Sequence, residues 1–131
     1  MEENLKQLLL KDLCARLPYG VKVETPYNTA KVIGIVNRQG VKKDIDYIDI
    51  VTDRQTYPIR YIQSYLRPMS SMTEEERKEY QKIKDNISYV NGWLNYHIVD
   101  DWLNKNMFDY RNLIEKGLAL KAKEGMYNLK D

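Results

Sequence analysis

Residues 19–67, YGVKVETPYNTAKVIGIVNRQGVKKDIDYIDIVTDRQTYPIRYIQSYLR, decide the fold, because their β-branched and aromatic residues alternate between short turn signals. Val21 to Thr25 reads as a first strand, and Pro26, Tyr27 and Asn28 as a turn. Ala30 to Val36 reads as a second strand. Gly34 in its middle points to a bulge or to close approach of another backbone. Asn37, Arg38, Gln39 and Gly40 make a short connection, with Gly40 suited to a positive φ. A third strand is expected over Lys43 to Val51, bulged near Tyr47 or covered on both faces, since apolar residues fall on both of its sides. Asp53, Arg54 and Gln55 turn the chain into a fourth strand, Thr56 to Ile62. Pro58 cannot donate a ladder hydrogen bond, so this strand belongs at an edge or is interrupted there. Four strands with short loops form a bent antiparallel meander, and closure into an SH3-like barrel would hide its edges.

Upstream, Leu5, Leu9 and Leu13 recur at helical spacing, widened by Leu10, Cys14 and Leu17, so a helix over Glu2 to Arg16 should pack on the sheet. Cys14 falls within this stripe and reads as a core residue. Pro18, Tyr19 and Gly20 stop the helix. Downstream, Thr73 and Glu76 have the spacing of a capping box, with Glu74 and Glu75 also in the first turn, so a second helix starts there and runs to about Lys84. Met72 is placed to staple against the Arg77 stem or a nearby apolar group. Residues 85–92 are ambiguous, and a third helix is expected from Trp93 to Asn106. Asp109 reads as the N-cap of a short helix closed by Gly117. Leu118 to Ala122 then alternates like a strand, which Glu124 and Gly125 could turn back through Met126, Tyr127 and Leu129.

The expected architecture is a single α+β domain over 1–131: helix 1–18, β-meander 19–67, helical region 72–117, and a C-terminal hairpin or tail 118–131. The 131 residues can bury a core without staples, and 43% hydrophobic with 31% charged residues suits a globular chain. Twenty-one basic and 19 acidic side chains give a net charge of +2, which argues against strong non-specific affinity for nucleic acid. One cysteine excludes an internal disulfide and fits a reducing compartment. With no long apolar run and no secretory-type leader, the expected address is the cytoplasm, away from the membrane. Eleven tyrosines against one phenylalanine are the compositional oddity; a ring with a polar tip serves half-buried positions and contact surfaces alike.

Catalytic and metal-binding motifs are weak. His97, Asp100 and Asp101 share one helical face, yet no second histidine completes a zinc site. Asp44, Asp46 and Asp49 lack the glycine and terminal Glu of a calcium loop, and strand alternation separates Asp49 from the others. The serines lie in no nucleophile elbow, and the six glycines form no phosphate-binding loop. No cofactor, metal or catalytic residue is therefore assigned. The Asp109-capped helix followed by a hairpin has the outline of a winged helix, offering Arg111, Asn112 and Lys116 to DNA.

Three segments, LCARLPYGVK at 13–22, YLRPMSSMTEEE at 65–76 and FDYRNLIEKGLALKAKEGMY at 108–127, resemble a group of small uncharacterised proteins encoded in gut bacterial genomes and their prophages or mobile elements. The resemblance carries no activity to transfer; it implies a phage-related or accessory protein. The expected function is a non-catalytic binding or adaptor protein with an unknown protein partner. Tyr57, Tyr61 and Tyr65 beside the Pro58 edge would form its contact surface. The alternative is a nucleic-acid-binding accessory using Arg111 and Lys116.

Overall fold

The computed structural model describes residues 2–38, 45–86 and 92–127. Its elements in chain order are α1 (Glu2–Arg16), β1 (Lys22–Glu24), β2 (Thr29–Asn37), β3 (Ile48–Thr52), β4 (Thr56–Pro58), β5 (Gln63–Leu66), α2 (Glu74–Asn86), α3 (Gly92–Lys105) and β6 (Ala119–Lys121). The fold is α+β: a six-stranded mixed sheet of order β4-β3-β2-β1-β5-β6, with an N-terminal helix and two further helices.

The meander forms for local reasons. Thr25 and Thr52 close the β1–β2 and β3–β4 hairpins with one device: each hydroxyl accepts the backbone N–H groups two and three residues ahead, Tyr27 and Asn28 in one turn, Arg54 and Gln55 in the other. Each of these threonine N–H groups also donates to the carbonyl three residues on, Asn28 at 2.8 Å and Gln55 at 3.0 Å. Such side-chain turns satisfy backbone groups that a tight hairpin leaves open. Gly34 marks a bulge, since Val32 pairs with Thr52 but Gly34 pairs with Val51. The extra residue reverses the alternation, so Val32 is buried while Ile33 and Val36 point outward.

Three expectations about the sheet are corrected. Residues Ile45–Tyr47 form a 3-10 turn, so the third strand begins only at Ile48; the turn takes up the apolar residues that seemed to occupy both strand faces. The fourth strand stops at Pro58, a 3-10 turn follows over Ile59–Tyr61, and Gln63–Leu66 is a separate strand that returns to pair antiparallel with β1. The sheet is open and no SH3-like barrel is closed: β4, limited by its proline, lies at one edge, and β6 adds parallel to β5 at the other.

The main core joins α1 to the inner face of the sheet through Leu9, Leu13, Val21, Val23, Val32, Ile50, Ile59, Ile62 and Leu66. Fully burying each aliphatic side chain contributes about 1.5–3 kcal/mol relative to exposure. Asp12 and Arg16 are fully buried beside Leu9 and Leu13, so the inward stripe of α1 is 9, 12, 13, 16. That registration overturns the core reading of Cys14, which lies about 100° past Leu13, away from Arg16, and is exposed. Its thiol is still covered enough that burial pushes its pKa up.

A second core forms at the other end of the sheet, where Met72, Leu103 and Phe108 meet with Tyr80 and Trp102 alongside. Trp102 stacks between Tyr80 at 5.5 Å and Phe108 at 5.7 Å. Met72 packs here, on apolar groups, the second of its two expected partners. The helical region ends at Lys105. In place of a helix over 110–116 there is a single turn: the Asp109 carboxylate accepts the N–H groups of Leu113 and Ile114 at 2.8 and 3.0 Å, and Asn112 adopts φ 60°. Gly117 closes it at φ 77°, with Gly117 N–H bonding Ile114 and Leu118 N–H bonding Leu113, a Schellman pair. The cap foreseen at Gly117 is present; Asp109 is not the N-cap of a helix starting at Tyr110, because its carboxylate reaches N–H groups four and five residues on and the left-handed Asn112 leaves room for only one turn. Among the described residues there is no hairpin: β6 runs parallel to β5, and the chain turns at Gly125 with Met126 and Tyr127 unpaired to β6, while Leu129 lies outside the described residues.

Candidate functional site

An open groove of about 980 Å³ lies between the first turns of α2 and the chain after β6. Its floor is organised by Arg67, the residue after β5. Arg67 Nη2 donates to Glu76 Oε1 at 2.6 Å, Nη1 donates to the Asn106 carbonyl at 3.1 Å, and the guanidinium lies 4.2 Å from the Phe108 ring centroid. Its backbone is held as well, since Arg67 N–H donates to Met107 and Asp109 N–H donates to Arg67, at 2.7 and 2.8 Å. One residue therefore fixes the end of β5, the start of α2 and the exit of α3.

Glu76 has two tasks. It completes the expected capping box, accepting from Thr73 N–H at 2.9 Å while Thr73 Oγ1 accepts from Glu76 N–H at 3.1 Å. It also receives Arg67. Burial raises its pKa, but the bonds from Arg67 and Thr73 together outweigh burial and hold the carboxyl below its ordinary value.

At the far end of the floor stands Tyr127. Its hydroxyl accepts from Lys22 N–H at 2.8 Å and donates to the Tyr65 carbonyl at 2.8 Å, while Lys22 Nζ donates to the Met126 carbonyl at 2.7 Å. Burial pushes the phenol's pKa far up, because ionisation would place a charge between two strands.

The walls differ from the floor. Glu75 and Glu79, one helical turn apart, stand on the α2 side, and Lys121 and Lys123 form the opposite lip. The side chains of Glu75, Glu79 and Lys121 have no ion-pair or hydrogen-bond partner among the described residues, and that of Lys123 lies over the Tyr65 ring at 5.6 Å.

The residues singled out from sequence do not come together. Tyr57 is buried at 6% exposure, with its hydroxyl on Gln55 Oε1, and Tyr65 is buried at 3%. Tyr61 is 52% exposed under the Arg60 guanidinium. Arg111 is committed to Asp12, Nη1 to Oδ1 at 2.6 Å, within a buried network in which Arg16 Nε bonds Asp12 Oδ2 at 2.9 Å and Arg16 Nη2 bonds the Phe108 carbonyl at 2.6 Å. Lys116 is exposed, apart from Arg111's network. The His97 side chain, Asp44 and the Asp46 side chain lie outside the described residues, Asp100 and Asp101 are exposed, and Asp49 pairs with Arg38 at 3.0 Å. No group of three metal-ligating side chains occurs among the described residues, and no described helix is long and apolar enough to cross a membrane.

Sequence reading missed Arg67, Tyr127 and the Asp12–Arg16 pair. The i, i+4 spacing of Asp12 and Arg16 was a signal, but it reads as a surface pair until the helix face is known. Segments 13–22, 65–76 and 108–127 meet in the fold: 13–22 supplies Arg16 and Lys22, 65–76 supplies Arg67 and Glu76, and 108–127 supplies Phe108, Lys123 and Tyr127. Comparison of the chain with protein-family models, curated proteins and solved structures finds no match.

Proposed function

We propose that the chain is a non-catalytic binding domain, an adaptor that takes a partner polypeptide in the groove between α2 and the β6 lip. The phage or mobile-element setting implied by the resemblance belongs to the same proposal. The observation that carries it is the division of charges: those on the floor are paired within the protein, whereas Glu75, Glu79 and Lys121 on the walls remain unpaired and solvated. A fixed floor with available walls suits recognition of another chain, because little ordering is needed on binding. This moves the contact surface away from Tyr57 and Tyr65, whose rings are buried. The nucleic-acid alternative keeps exposed Asn112 and Lys116, since Arg111 is held by Asp12.

Affinity capture of the tagged protein and of its E75K/E79K variant, each with and without nuclease, tests the reading. A defined protein that survives nuclease and is lost with the variant supports it. Equal capture by both proteins overturns the groove, and loss of every partner on nuclease treatment transfers the function to nucleic acid.

A further inference from the structure

We propose that the outer face of β2, β3 and β4 docks on the same face of a second copy of this chain, giving a two-fold symmetric dimer. Register fixes what this face carries. Gly34, Val51 and Thr56 form one cross-strand row and Val36, Asp49 and Pro58 the next, while the row Ile35, Ile50 and Tyr57 turns in to the core with α1. Ile33, the extra residue of the bulge, is 55% exposed and Val36 is 47% exposed, and neither they nor Val51 belong to a core among the described residues. A sheet with one covered face alternates apolar-in and polar-out, so these three apolar side chains on the bare side break the pattern. Threonine would satisfy strand propensity there without exposing apolar surface.

Gly34 points to the same face. Its φ lies outside the left-handed region, and a Cβ placed on it would meet Val51 at 3.6 Å, an ordinary contact. The chain's own packing therefore does not require glycine here. A strand glycine that neither φ nor a neighbour demands marks the close approach of another backbone.

A second copy fits because the face complements itself. A two-fold axis crossing β2 at Ile33 and Gly34 lays that strand antiparallel on its counterpart. Lys31 and Val36, on either side of the axis, then change places across the interface. The Lys31 amine has no ion-pair or hydrogen-bond partner among the described residues. Asp49, beside Val36, has one carboxylate oxygen on Arg38 and the other without a donor. Each copy thus brings a free lysine towards the other's carboxylate, across sheets about 10 Å apart. Three short strands offer less than the about 800 Å² per partner of a standard complex, so the dimer is weak. The groove, at the β6 end of the strand order, stays open in the pair.

Sedimentation velocity of the full chain from about 1 μM to about 1 mM is the test. Mass should rise from monomer to dimer and stop there. Gly34→Val and Ile33→Lys should each weaken dimerisation by about tenfold or more. Thermal unfolding at the lowest concentration should find both folded, with Gly34→Val at least as stable as the wild type. Lys31→Glu should weaken the dimer by about tenfold as well, whereas Lys82→Glu, the same charge change on exposed α2, should leave it intact. A monomer at every concentration, growth beyond the dimer, or a dimer indifferent to Gly34→Val and Ile33→Lys overturns the proposal. Unfolding of Gly34→Val overturns it too, since the glycine would then serve the monomer, and so does equal loss with Lys31→Glu and Lys82→Glu.

Discussion

The Tyr127 hydroxyl donates to the Tyr65 carbonyl at 2.8 Å, at the point where the β1–β5 ladder would place its next rung. Val23 pairs with Ser64 and Glu24 with Gln63, so Lys22 would follow opposite Tyr65; the phenol bridges these two instead, accepting from Lys22 N–H. In Tyr127→Phe both backbone groups lose that partner. The expected cost is about 1–3 kcal/mol, read as a lower urea midpoint with an unchanged slope.

The same hydroxyl sets an alkaline limit. A pKa raised in the folded state gives stability that is complete below the unfolded value of about 10 and is lost as pH rises towards the folded value. Tyr110, also raised by burial, acts in the same direction. Stability measured from pH 9 upward should fall less steeply in Y127F than in the wild type, and less again in Y110F/Y127F.

Arg16 carries a heavier structural charge. Arg16→Met leaves the buried Phe108 carbonyl without its charged donor and removes one of two cations from buried Asp12. A loss of about 3–5 kcal/mol is expected, whereas Glu74→Ala, at an exposed pair with Lys78, should change stability by less than about 0.5 kcal/mol. Chemical denaturation of both variants gives the comparison.

At the start of α2, Thr73→Ala should cost about 1 kcal/mol through loss of the cap. Glu76 adds an acid dependence of opposite sign to that of the tyrosines. Its folded pKa is lowered, so its contribution is present above the ordinary Glu value and is lost as pH falls through the folded value. Glu76→Gln should flatten the fall in stability on acidification.

Gly117 tests backbone strain by itself. A Cβ there would meet nothing within 4 Å, yet φ is +77°. Gly117→Ala should therefore cost about 1–2 kcal/mol, visible in thermal unfolding and independent of pH between 5 and 8.

The local devices were legible in the chain, and the long-range ones were not. Thr73 with Glu76, Gly117 as a left-handed cap, Gly34 as a bulge and Pro58 at an edge all depend on neighbours within a few residues. The expected fourth strand, Thr56 to Ile62, ran through the turn at Ile59–Tyr61, whose apolar and aromatic residues also suit a strand, and β5 at Gln63–Leu66 was not foreseen. Parallel pairing of β6 with β5 joins segments more than fifty residues apart, which no local period encodes. The groove was hidden for the same reason: Arg67, Glu76 and Lys123 share no motif and meet only after folding.

Arg16 also bears on when the chain can fold. Its carbonyl partner at Phe108 lies 92 positions downstream, and Arg111 lies 99 positions beyond Asp12. A nascent chain that stops short of Phe108 contains all of α1 and β1 to β5, yet docking the helix on that sheet in its native register would leave Arg16 without the Phe108 carbonyl and Asp12 without Arg111. Early closure of the N-terminal two-thirds is thus disfavoured, and the expected behaviour is late, cooperative folding: a chain truncated before Phe108 should lack the cooperative unfolding transition of the full chain.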